Sequence, residues 1–464
     1  MNNGAYVGIE GRAKKVVGVY IGVSGVARKV TKAYVGVGGA ARLWWDEIDV
    51  TAPVVTLATS NAAASVPVRT AVTFTVSATD KVGVVSTWLT INGIKYSLDA
   101  NGKYTHTFSS LGASIVIGYA IDAAGNIGTS SAKNYTVIAA LSHALSRARH
   151  GLAATTVGSY GLFGGGGSGN TPFYADVDAY DASLTRSTPA ALSVARSFIA
   201  ATTVGSYGLF AGGNAATRVN TVDAYNTDLT RSTATPLSIA RGMLGGLTVG
   251  NYALFGGGVG TGYLATVDAY NASLTRSTPT ALSVGRPGLA ATTVGNYGLF
   301  AGGAQGITKY ATVDAYNASL TRSTPTALSV ARTSAAAATI GSYALFAGGS
   351  STSADATVDA YNASLIRSTP TALSVGRAYA AGTAVGNYAI FGGGGATSGA
   401  SNVVDAYNAS LIRTIPEGFT LARSTLAATT VGDYGIFGGG YRANSTSVTN
   451  AVDTYDASLK HSSI

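Results

Sequence analysis

The sequence predicts an all-β protein whose largest part, residues 140–464, is a seven-bladed β-propeller. One observation is composition: 464 residues with 61 glycines and 46% hydrophobic residues are typical of glycine-rich β structure. The others are two tyrosines that each recur with a period of about 45 residues, as in propeller blades. One precedes a glycine run, at Tyr160, Tyr207, Tyr252, Tyr297, Tyr343, Tyr388 and Tyr434. The other ends the third predicted strand, at Tyr180, Tyr225, Tyr270, Tyr316, Tyr361, Tyr407 and Tyr455.

Each repeat is predicted to contain four strands. In the copy that begins at Leu289 these are LAATTV, YGLFAGG, ATVDAYN and the segment around TRSTPTALSV. Proline lacks the N–H that a central strand must donate, so the fourth strand is expected at the outer edge. The small Ala and Thr side chains of the first strand suit the innermost position, where the repeats converge.

These marks resemble kelch repeats. The glycine pair Gly164 and Gly165 follows Phe163, Tyr180 lies in the third strand, and Arg196 precedes the next blade. The resemblance implies a kelch-like propeller. The tryptophan that the family carries after the third-strand tyrosine is absent. Arginines lie near that place instead, at Arg186, Arg231, Arg276, Arg322, Arg367 and Arg413.

Residues 1–50 are predicted to form an anchor of 14-residue repeats that start at Tyr6, Tyr20 and Tyr34. Each copy predicts two short strands around a glycine turn, and together they form a ribbon with one apolar face. A ribbon this thin is not stable alone, so a partner chain or a second copy should complete it. The pattern resembles N-terminal segments of bacteriophage and prophage structural proteins, which implies docking on a virion or tail protein through residues 1–45.

The net charge of +9 is concentrated at the N-terminus, where residues 1–45 hold seven basic residues and one acidic residue. A basic patch for nucleic acid or a membrane is one interpretation. A solvated face is the other, and the recurrence of the charges with the repeat favours it. We expect no nucleic-acid partner. We also expect no signal peptide and no membrane insertion, because no apolar run has the necessary length.

Residues 51–139 predict an immunoglobulin-like β-sandwich that acts as a spacer. About 90 residues of alternating strands separated by turn residues fit this fold. The phrase YAIDAAGNIG resembles the end of bacterial immunoglobulin-like domains. Asp80 and Asp122 lie in turns, where turn capping is favoured over calcium binding because too few oxygen ligands are present. Trp88 is expected in the core.

The segment 141–149 is predicted to complete the last blade. Its sequence ALSRAR matches the ALSVAR that precedes later repeats, whereas the seventh copy stops at DASLKHSSI. Closure of this kind would remove an open sheet edge.

An arginine ahead of each first strand and the aspartate of each third strand recur in all seven repeats. Their fixed repetition favours hydrogen bonding between blades. The alternative is a ring of arginines that binds an anion. The two series are Arg149, Arg196, Arg241, Arg286, Arg332, Arg377 and Arg423, and Asp178, Asp223, Asp268, Asp314, Asp359, Asp405 and Asp453.

Catalysis is not expected. The chain has no cysteine, and its four histidines are too scattered to propose a metal site. No P-loop, nucleophile elbow or zinc-ligand spacing occurs. We therefore predict no enzyme activity and no cofactor.

The predicted ligand site is the set of variable loops between the second and third strands, because similar scaffolding holds them on one face. Most loop residues are small and polar, so the aromatic and basic ones stand out. Aromatic faces with hydroxyl and amide donors are suited to sugar rings. The candidate ligand-binding residues are Phe173, Tyr174, Arg218, Tyr263, Lys309, Tyr310, Tyr441 and Arg442.

The sequence thus leads us to expect a phage adhesion protein. It would lie on the virion surface, on tail or capsid, and be extracellular after release. The propeller would bind a host or environmental surface, with glycan as the expected receptor, and a homo-oligomer is expected. The alternatives are a carbohydrate-active propeller enzyme, since paired carboxylates can occur in any loop, and a non-binding structural decoration protein.

Overall fold

The computed structural model describes the main chain of six strands within residues 6–45, followed by residues 49–67, 70–110, 112–138, 143–169, 171–397, 399–442 and 447–464. Among these described residues, the elements of helix or strand are all β-strands. The chain divides into two compact units, residues 1–141 and 142–464. No helix that could span a membrane occurs among the described residues.

The 14-residue repeats each form one antiparallel pair of strands, as the sequence predicts. Tyr6 faces Lys15 in the first pair and Tyr20 faces Lys29 in the second. The predicted apolar face and the docking role of residues 1–45 depend on side chains outside the described residues. The strands are Tyr6–Ile9 with Arg12–Lys15, Tyr20–Val23 with Val26–Lys29, and Ala33–Val37 with Ala40–Trp45.

Two packed sheets form an immunoglobulin-like domain in the first unit. A three-stranded sheet contains Val54–Thr59, Ala71–Thr79 and Lys103–Thr107. The alternation of Ala71–Thr79 buries Val72, Phe74 and Val76 against the facing sheet. The second sheet contains Ser65–Pro67, Val84–Ile91, Ile94–Ser97, Gly112–Asp122, Ile127–Thr129 and Lys133–Ile138.

Trp88 is not in the core, contrary to the prediction. Its ring stacks on Tyr119 at a centroid distance of 5.4 Å, and the amine of Lys95 lies 4.0 Å from its centroid. Alternation along the strand explains the difference, because the neighbouring Leu89 takes the buried face.

The second unit contains seven repeats, each with one four-stranded antiparallel sheet whose strands follow chain order, as predicted. We call them repeats one to seven. The first strands are Ala153–Val157, Ala200–Val204, Gly245–Val249, Ala290–Val294, Ala336–Ile340, Ala381–Val385 and Ala427–Val431. The second strands are Tyr160–Gly164, Tyr207–Ala211, Tyr252–Gly256, Tyr297–Ala301, Tyr343–Ala347, Tyr388–Gly392 and Tyr434–Gly438.

The outer half of each sheet is made by the third and fourth strands. The third strands are Val177–Tyr180, Val222–Tyr225, Val267–Tyr270, Val313–Asn317, Val358–Asn362, Val404–Asn408 and Val452–Asp456. The fourth strands are Arg186–Ser187, Arg231–Ala234, Arg276–Ser277, Arg322–Ser323, Arg367–Ser368, Arg413–Thr414 and His461–Ser463. Three two-stranded sheets lie in loops: Ala304–Gln305 with Thr308–Lys309, Gly395–Ala396 with Gly399–Ala400, and Arg423–Ser424 with Tyr441–Arg442.

The predicted fold class, a seven-bladed kelch-like β-propeller, is corrected by this strand pairing. Beyond the immunoglobulin-like domain, the described strands form many small, separate sheets of two or four strands, and a closed propeller is not supported. The supported class is all-β with an immunoglobulin-like domain. A sequence period specifies the strands inside one repeat, but it carries no information on how separate sheets are assembled.

The fourth strands are shorter than predicted. In repeat three the strand ends at Ser277, two residues before Pro279. Proline cannot donate a main-chain hydrogen bond, so pairing stops there. Repeat two has Ala234 at the equivalent position, and its fourth strand extends through Ala234.

Main-chain hydrogen bonds connect each repeat to the segment that precedes the next one. Gly166 N donates to Arg196 O at 2.8 Å, and Gly440 of repeat seven donates to Arg149 O at 2.9 Å. Glycine is required beside this contact, because a Cβ on Gly165 would lie 2.6 Å from the Arg196 carbonyl oxygen. Gly165 and Gly166 thus allow close approach between successive repeats.

The prediction that segment 141–149 completes the last sheet is wrong. Repeat seven takes its fourth strand, His461–Ser463, from its own sequence. The described part of the segment, residues 143–149, instead joins repeat seven to repeat one. Leu145 N donates to Asn450 O, and Tyr180 OH donates to His143 O.

Candidate ligand-binding site

Every repeat contains a buried ion pair between the arginine ahead of its first strand and the aspartate of its third strand. In repeat three, Arg241 Nη2 lies 2.7 Å from Asp268 Oδ2, and both side chains are fully buried. Arg276 of the fourth strand and the N–H of Ser238 also reach this carboxylate. Six repeats pair the third-strand aspartate with a second arginine, and repeat seven places His461 there, 2.7 Å from Asp453.

These pairs support the structural role predicted for the two series, with one correction. Each arginine pairs with the aspartate of the repeat that it precedes, so the ion pair anchors a linking segment to one sheet. The guanidinium groups are buried and paired, and the structure therefore does not support an anion-binding ring. Removing one partner of a buried pair costs about 3–5 kcal/mol, because it leaves an uncompensated charge.

The residue two positions after each of these arginines belongs to a continuous set of main-chain hydrogen bonds. The N–H of each residue donates to the carbonyl of its equivalent in the preceding repeat, and Gly151 N donates to Thr425 O. Donor–acceptor distances lie between 2.7 and 3.1 Å. We call these residues the central ring: Gly151, Phe198, Met243, Gly288, Ser334, Tyr379 and Thr425.

Every central-ring residue has a left-handed backbone, with φ between 51° and 67°. Glycine adopts this conformation freely, whereas it is uncommon for other residues and an outlier for a β-branched residue such as Thr425. Such strain persists only where the surrounding structure imposes it, and it is concentrated at functional sites. The hydrogen-bonded ring imposes it here.

A cavity of about 480 Å³ opens at the central ring. Its volume lies in the range of small-molecule sites. All seven central-ring residues line it, together with the residue that follows each of them, with Pro287 and Thr333, and with Ala304 and Gly306 of repeat four. The following residues are Leu152, Ile199, Leu244, Leu289, Ala335, Ala380 and Leu426.

The central ring is chemically asymmetric. Phe198 and Met243 are consecutive and are flanked by Gly151 and Gly288. The next three residues, Ser334, Tyr379 and Thr425, carry hydroxyl groups that bond to no other side chain or main chain among the described residues. One arc of the cavity wall is therefore apolar, and the opposite arc offers unpaired hydroxyls.

The space beside the two arcs also differs. Leucine or isoleucine follows the central-ring residue in five repeats, whereas Ala335 and Ala380 follow Ser334 and Tyr379. The smaller side chains leave more volume beside the hydroxyl arc. Among the described lining residues none is acidic, basic or histidine. The cavity wall therefore offers apolar contact and neutral hydrogen-bonding groups, and no charge from the described residues.

Two predicted loop residues lie close to this cavity. Tyr263 is 47% exposed, and its hydroxyl lies 3.5 Å from where a Cβ on Gly306 would be. The rings of Tyr441 and His150 are in contact, with centroids 3.8 Å apart and planes tilted by 32°, next to Gly151. Burial lowers the pKa of the His150 imidazole, and a hydrogen bond to the Gly169 backbone opposes this shift.

The other predicted residues are placed differently. Tyr174 lies under the guanidinium of Arg147 at 4.6 Å, and Tyr310 OH bonds to Gln305 Oε1 at 2.9 Å. Phe173 and Lys309 are half-buried, in a bridge to Gly167 and in the Thr308–Lys309 strand. Arg218 and Arg442 are exposed. None of the eight predicted residues is among those that line the cavity, and their ligand-binding role stays a prediction.

Sequence reasoning missed the central ring. A signal for it exists, since the second position after the recurring arginine reads Gly, Phe, Met, Gly, Ser, Tyr and Thr between nearly constant neighbours. The bridges Ser197↔Asn214 and Gly242↔Val259 pair the variable loops of repeats two and three with the residue after the recurring arginine.

Three carboxylates of the first unit, Asp49, Asp80 and Asp122, have oxygen atoms within 4.8 Å of one another. Asp80 Oδ1 accepts the N–H of Val82. Asp122 accepts the N–H and the side-chain amide of Asn126. Burial raises the pKa of Asp122, but these hydrogen bonds outweigh it and hold the pKa below its usual value. The contacts support the predicted turn-capping role.

Comparison with known proteins supports one part of the chain. Residues 53–143 match the family model of a bacterial Ig domain. No curated protein matches the chain. These findings support an immunoglobulin-like domain within an all-β chain, and they give no support to the kelch and phage resemblances.

Proposed function

We propose that the seven repeats form a binding head for a neutral carbohydrate and attach the protein to a glycan-bearing surface without catalysing a reaction. The observation that carries this proposal is the asymmetric cavity at the central ring. Residues 1–45 would dock the protein on a virion or tail protein, which rests on their basic, apolar 14-residue pattern. A position on the virion surface and homo-oligomerisation belong to the same proposal.

The chemistry of the cavity favours carbohydrate. A sugar ring presents apolar C–H faces and polar hydroxyl edges, and it needs both kinds of partner at once. Tyr379, with 48% of its surface exposed, offers an aromatic face, and Ser334 and Thr425 offer hydroxyl partners on either side of it in the ring. The uncharged wall disfavours phosphates, sialic acids and other anions.

Binding is favoured over catalysis because glycoside hydrolysis requires a pair of carboxyl groups on either side of the scissile bond. The described residues that line the cavity include no carboxyl group. A carbohydrate-active enzyme would have to use another surface.

The proposal is tested with the full chain on a panel of immobilised neutral and acidic glycans, with product release monitored in parallel. We expect binding to neutral glycans without release of sugar. Tyr379→Ala should weaken binding at least about fivefold, because one aromatic stack contributes about 1 kcal/mol beyond burial. Ile366→Thr is the matched control. Ile366 is exposed outside the cavity, and repeat three carries Thr275 at that position.

The loops are tested separately by exchanging residues 259–266 of repeat three, VGTGYLAT, for SSTSADAT, residues 350–357 of repeat five. The two loops have equal length, and the exchange removes Tyr263. Weaker attachment would assign the loop a role beside the cavity. Absence of binding to every glycan would favour a structural decoration protein, and release of sugar would favour the enzyme alternative.

A further inference from the structure

We infer that the cavity selects a neutral sugar that carries a methyl group, and that Phe198 and Met243 are the residues that recognise this methyl. The methyl can belong to a 6-deoxyhexose or to an N-acetyl group. The inference rests on the proposed function and names the class of sugar bound at the same site.

The apolar arc carries the argument. Phe198 and Met243 are neighbours in the central ring, with Met243 N donating to Phe198 O at 3.0 Å. Met243 is 38% exposed and Phe198 is partly exposed, so ligand atoms can reach both. Neither side chain offers a strong hydrogen-bonding group. A ligand hydroxyl placed against them would lose its bonds to water without replacement, whereas a methyl would bury apolar surface.

The glycines at either end of this arc limit its extent. A Cβ on Gly288 would lie 2.5 Å from Thr333 Oγ1, and glycine there leaves the neighbouring side chains room. Phe198 lies over Gly151, since a Cβ at that position would be 3.7 Å from the Phe198 ring. Phe198 and Met243 are thus the two large apolar side chains that the central ring itself contributes to the cavity wall.

The opposite arc determines how the sugar is oriented. Ser334, Tyr379 and Thr425 are consecutive and have unpaired hydroxyls among the described residues, and Ala335 and Ala380 leave room beside them. The hydroxyl edge of a sugar fits this side. Its methyl group then points across the cavity to Phe198 and Met243.

The experiment measures affinity of the full chain for matched pairs of immobilised sugars. The pairs are L-fucose with L-galactose, L-rhamnose with L-mannose, and N-acetylglucosamine with N-formylglucosamine. We expect the methyl-bearing member of at least one pair to bind about tenfold more tightly, since one methylene in an apolar pocket discriminates by about 10–200-fold. Preference in the first two pairs indicates a deoxy methyl, and preference in the third indicates an acetyl methyl.

Two substitutions test whether the apolar arc of Phe198 and Met243 causes the preference for the methyl-bearing sugar. Met243→Ser and Phe198→Ser should reduce the ratio within the preferred pair to about one, because the methyl-bearing member loses its apolar partner. Ser334 shows that serine is accommodated in the same backbone conformation, and thermal unfolding verifies that each variant is folded. Ile239→Ser is the matched control, because Ile239 is 42% exposed in the same repeat and does not line the cavity.

Equal binding of both members of every pair by the unmodified chain would overturn the inference and leave the proposed function standing. A methyl preference that survives both serine substitutions would overturn the assignment to this arc. Absence of binding to every sugar would instead overturn the proposed function and this inference with it.

Discussion

Tyr270, like its six equivalents, is a buried hydrogen-bond donor that ties one repeat to the segment before it. Its hydroxyl donates to Thr235 O at 2.8 Å, and Tyr225 does the same to Ala190 O at 2.7 Å. Burial, together with the nearby aspartate, raises the pKa of each tyrosine above its ordinary value near 10. The equivalents are Tyr180, Tyr225, Tyr316, Tyr361, Tyr407 and Tyr455.

The raised pKa predicts steep unfolding in alkali. A group with a raised pKa in the folded state contributes stability that is fully present below its unfolded pKa, and that is lost as pH rises above about 10. Seven such groups act together, so the free energy of unfolding should fall sharply from pH 10 to 12. Urea unfolding at several pH values measures this fall.

Tyr270→Phe should make the alkaline fall shallower by about one seventh, because one of seven titrating groups is removed. Tyr263→Phe, at an exposed side chain, is the control and should leave the slope unchanged. Stability that stays constant up to pH 12 would contradict the prediction.

At the scale of the element, proline sets the length of the fourth strand. The fourth residue, counted from the first residue of the fourth strand, is proline in five repeats but Ala234 in repeat two and Ile464 in repeat seven. These two repeats have the longest fourth strands, Arg231–Ala234 and His461–Ser463. In repeat seven, the N–H of Ile464 donates to Val452 O at 3.0 Å. Ala234 is opposite Val222 in the same way.

We predict that Ala234→Pro shortens the fourth strand of repeat two to the length seen in repeat three. One main-chain hydrogen bond is lost, which costs about 1 kcal/mol in the free energy of unfolding. Hydrogen exchange of the Thr233 and Ser232 amides should accelerate. Pro279→Ala in repeat three is the reciprocal variant and should gain protection at residue 279. Unchanged exchange in both variants would refute the role of proline.

At the scale of the whole second unit, residues 143–149 connect repeat seven to repeat one in the same way as the linking segments connect the other neighbouring repeats. Leu145 is 2% exposed and packs among Phe163 of repeat one and Val431 and Ile436 of repeat seven. Leu192 takes the equivalent place between repeats one and two, and its N–H bonds to Ala175 O at 2.8 Å as Leu145 N bonds to Asn450 O at 2.9 Å.

Leu145→Ala should therefore destabilise the second unit as much as Leu192→Ala does, by about 2–5 kcal/mol, because each removes a buried leucine from a packed core. Thermal unfolding of the full chain measures both losses. Arg147→Ala is the control in the same segment. Arg147 is 53% exposed, makes one surface ion pair and lies over the Tyr174 ring, and each of these contacts contributes about 1 kcal/mol or less. A full loss for Leu192→Ala with none for Leu145→Ala would show that repeats seven and one are not joined in this way.

The sequence by itself determined the all-β class, the immunoglobulin-like domain, the repeats and the order of four strands in each. These features follow from local patterns: strand alternation, glycine turns, and the arginine and aspartate series. The interactions that produce each pattern lie within one repeat of about 45 residues. The length of the fourth strand was also accessible, because Pro279 and Ala234 differ in a property of the residue itself.

Only the tertiary structure decided how the repeats assemble and where the cavity lies. The predicted propeller was wrong because periodicity describes one sheet and not the joining of separate sheets. The central ring takes one residue from each repeat, and the variable position after each arginine does not by itself indicate that Phe198, Met243 and Tyr379 line one cavity. Their left-handed backbone is also unexpected, since these side chains disfavour it and only hydrogen bonds between repeats impose it.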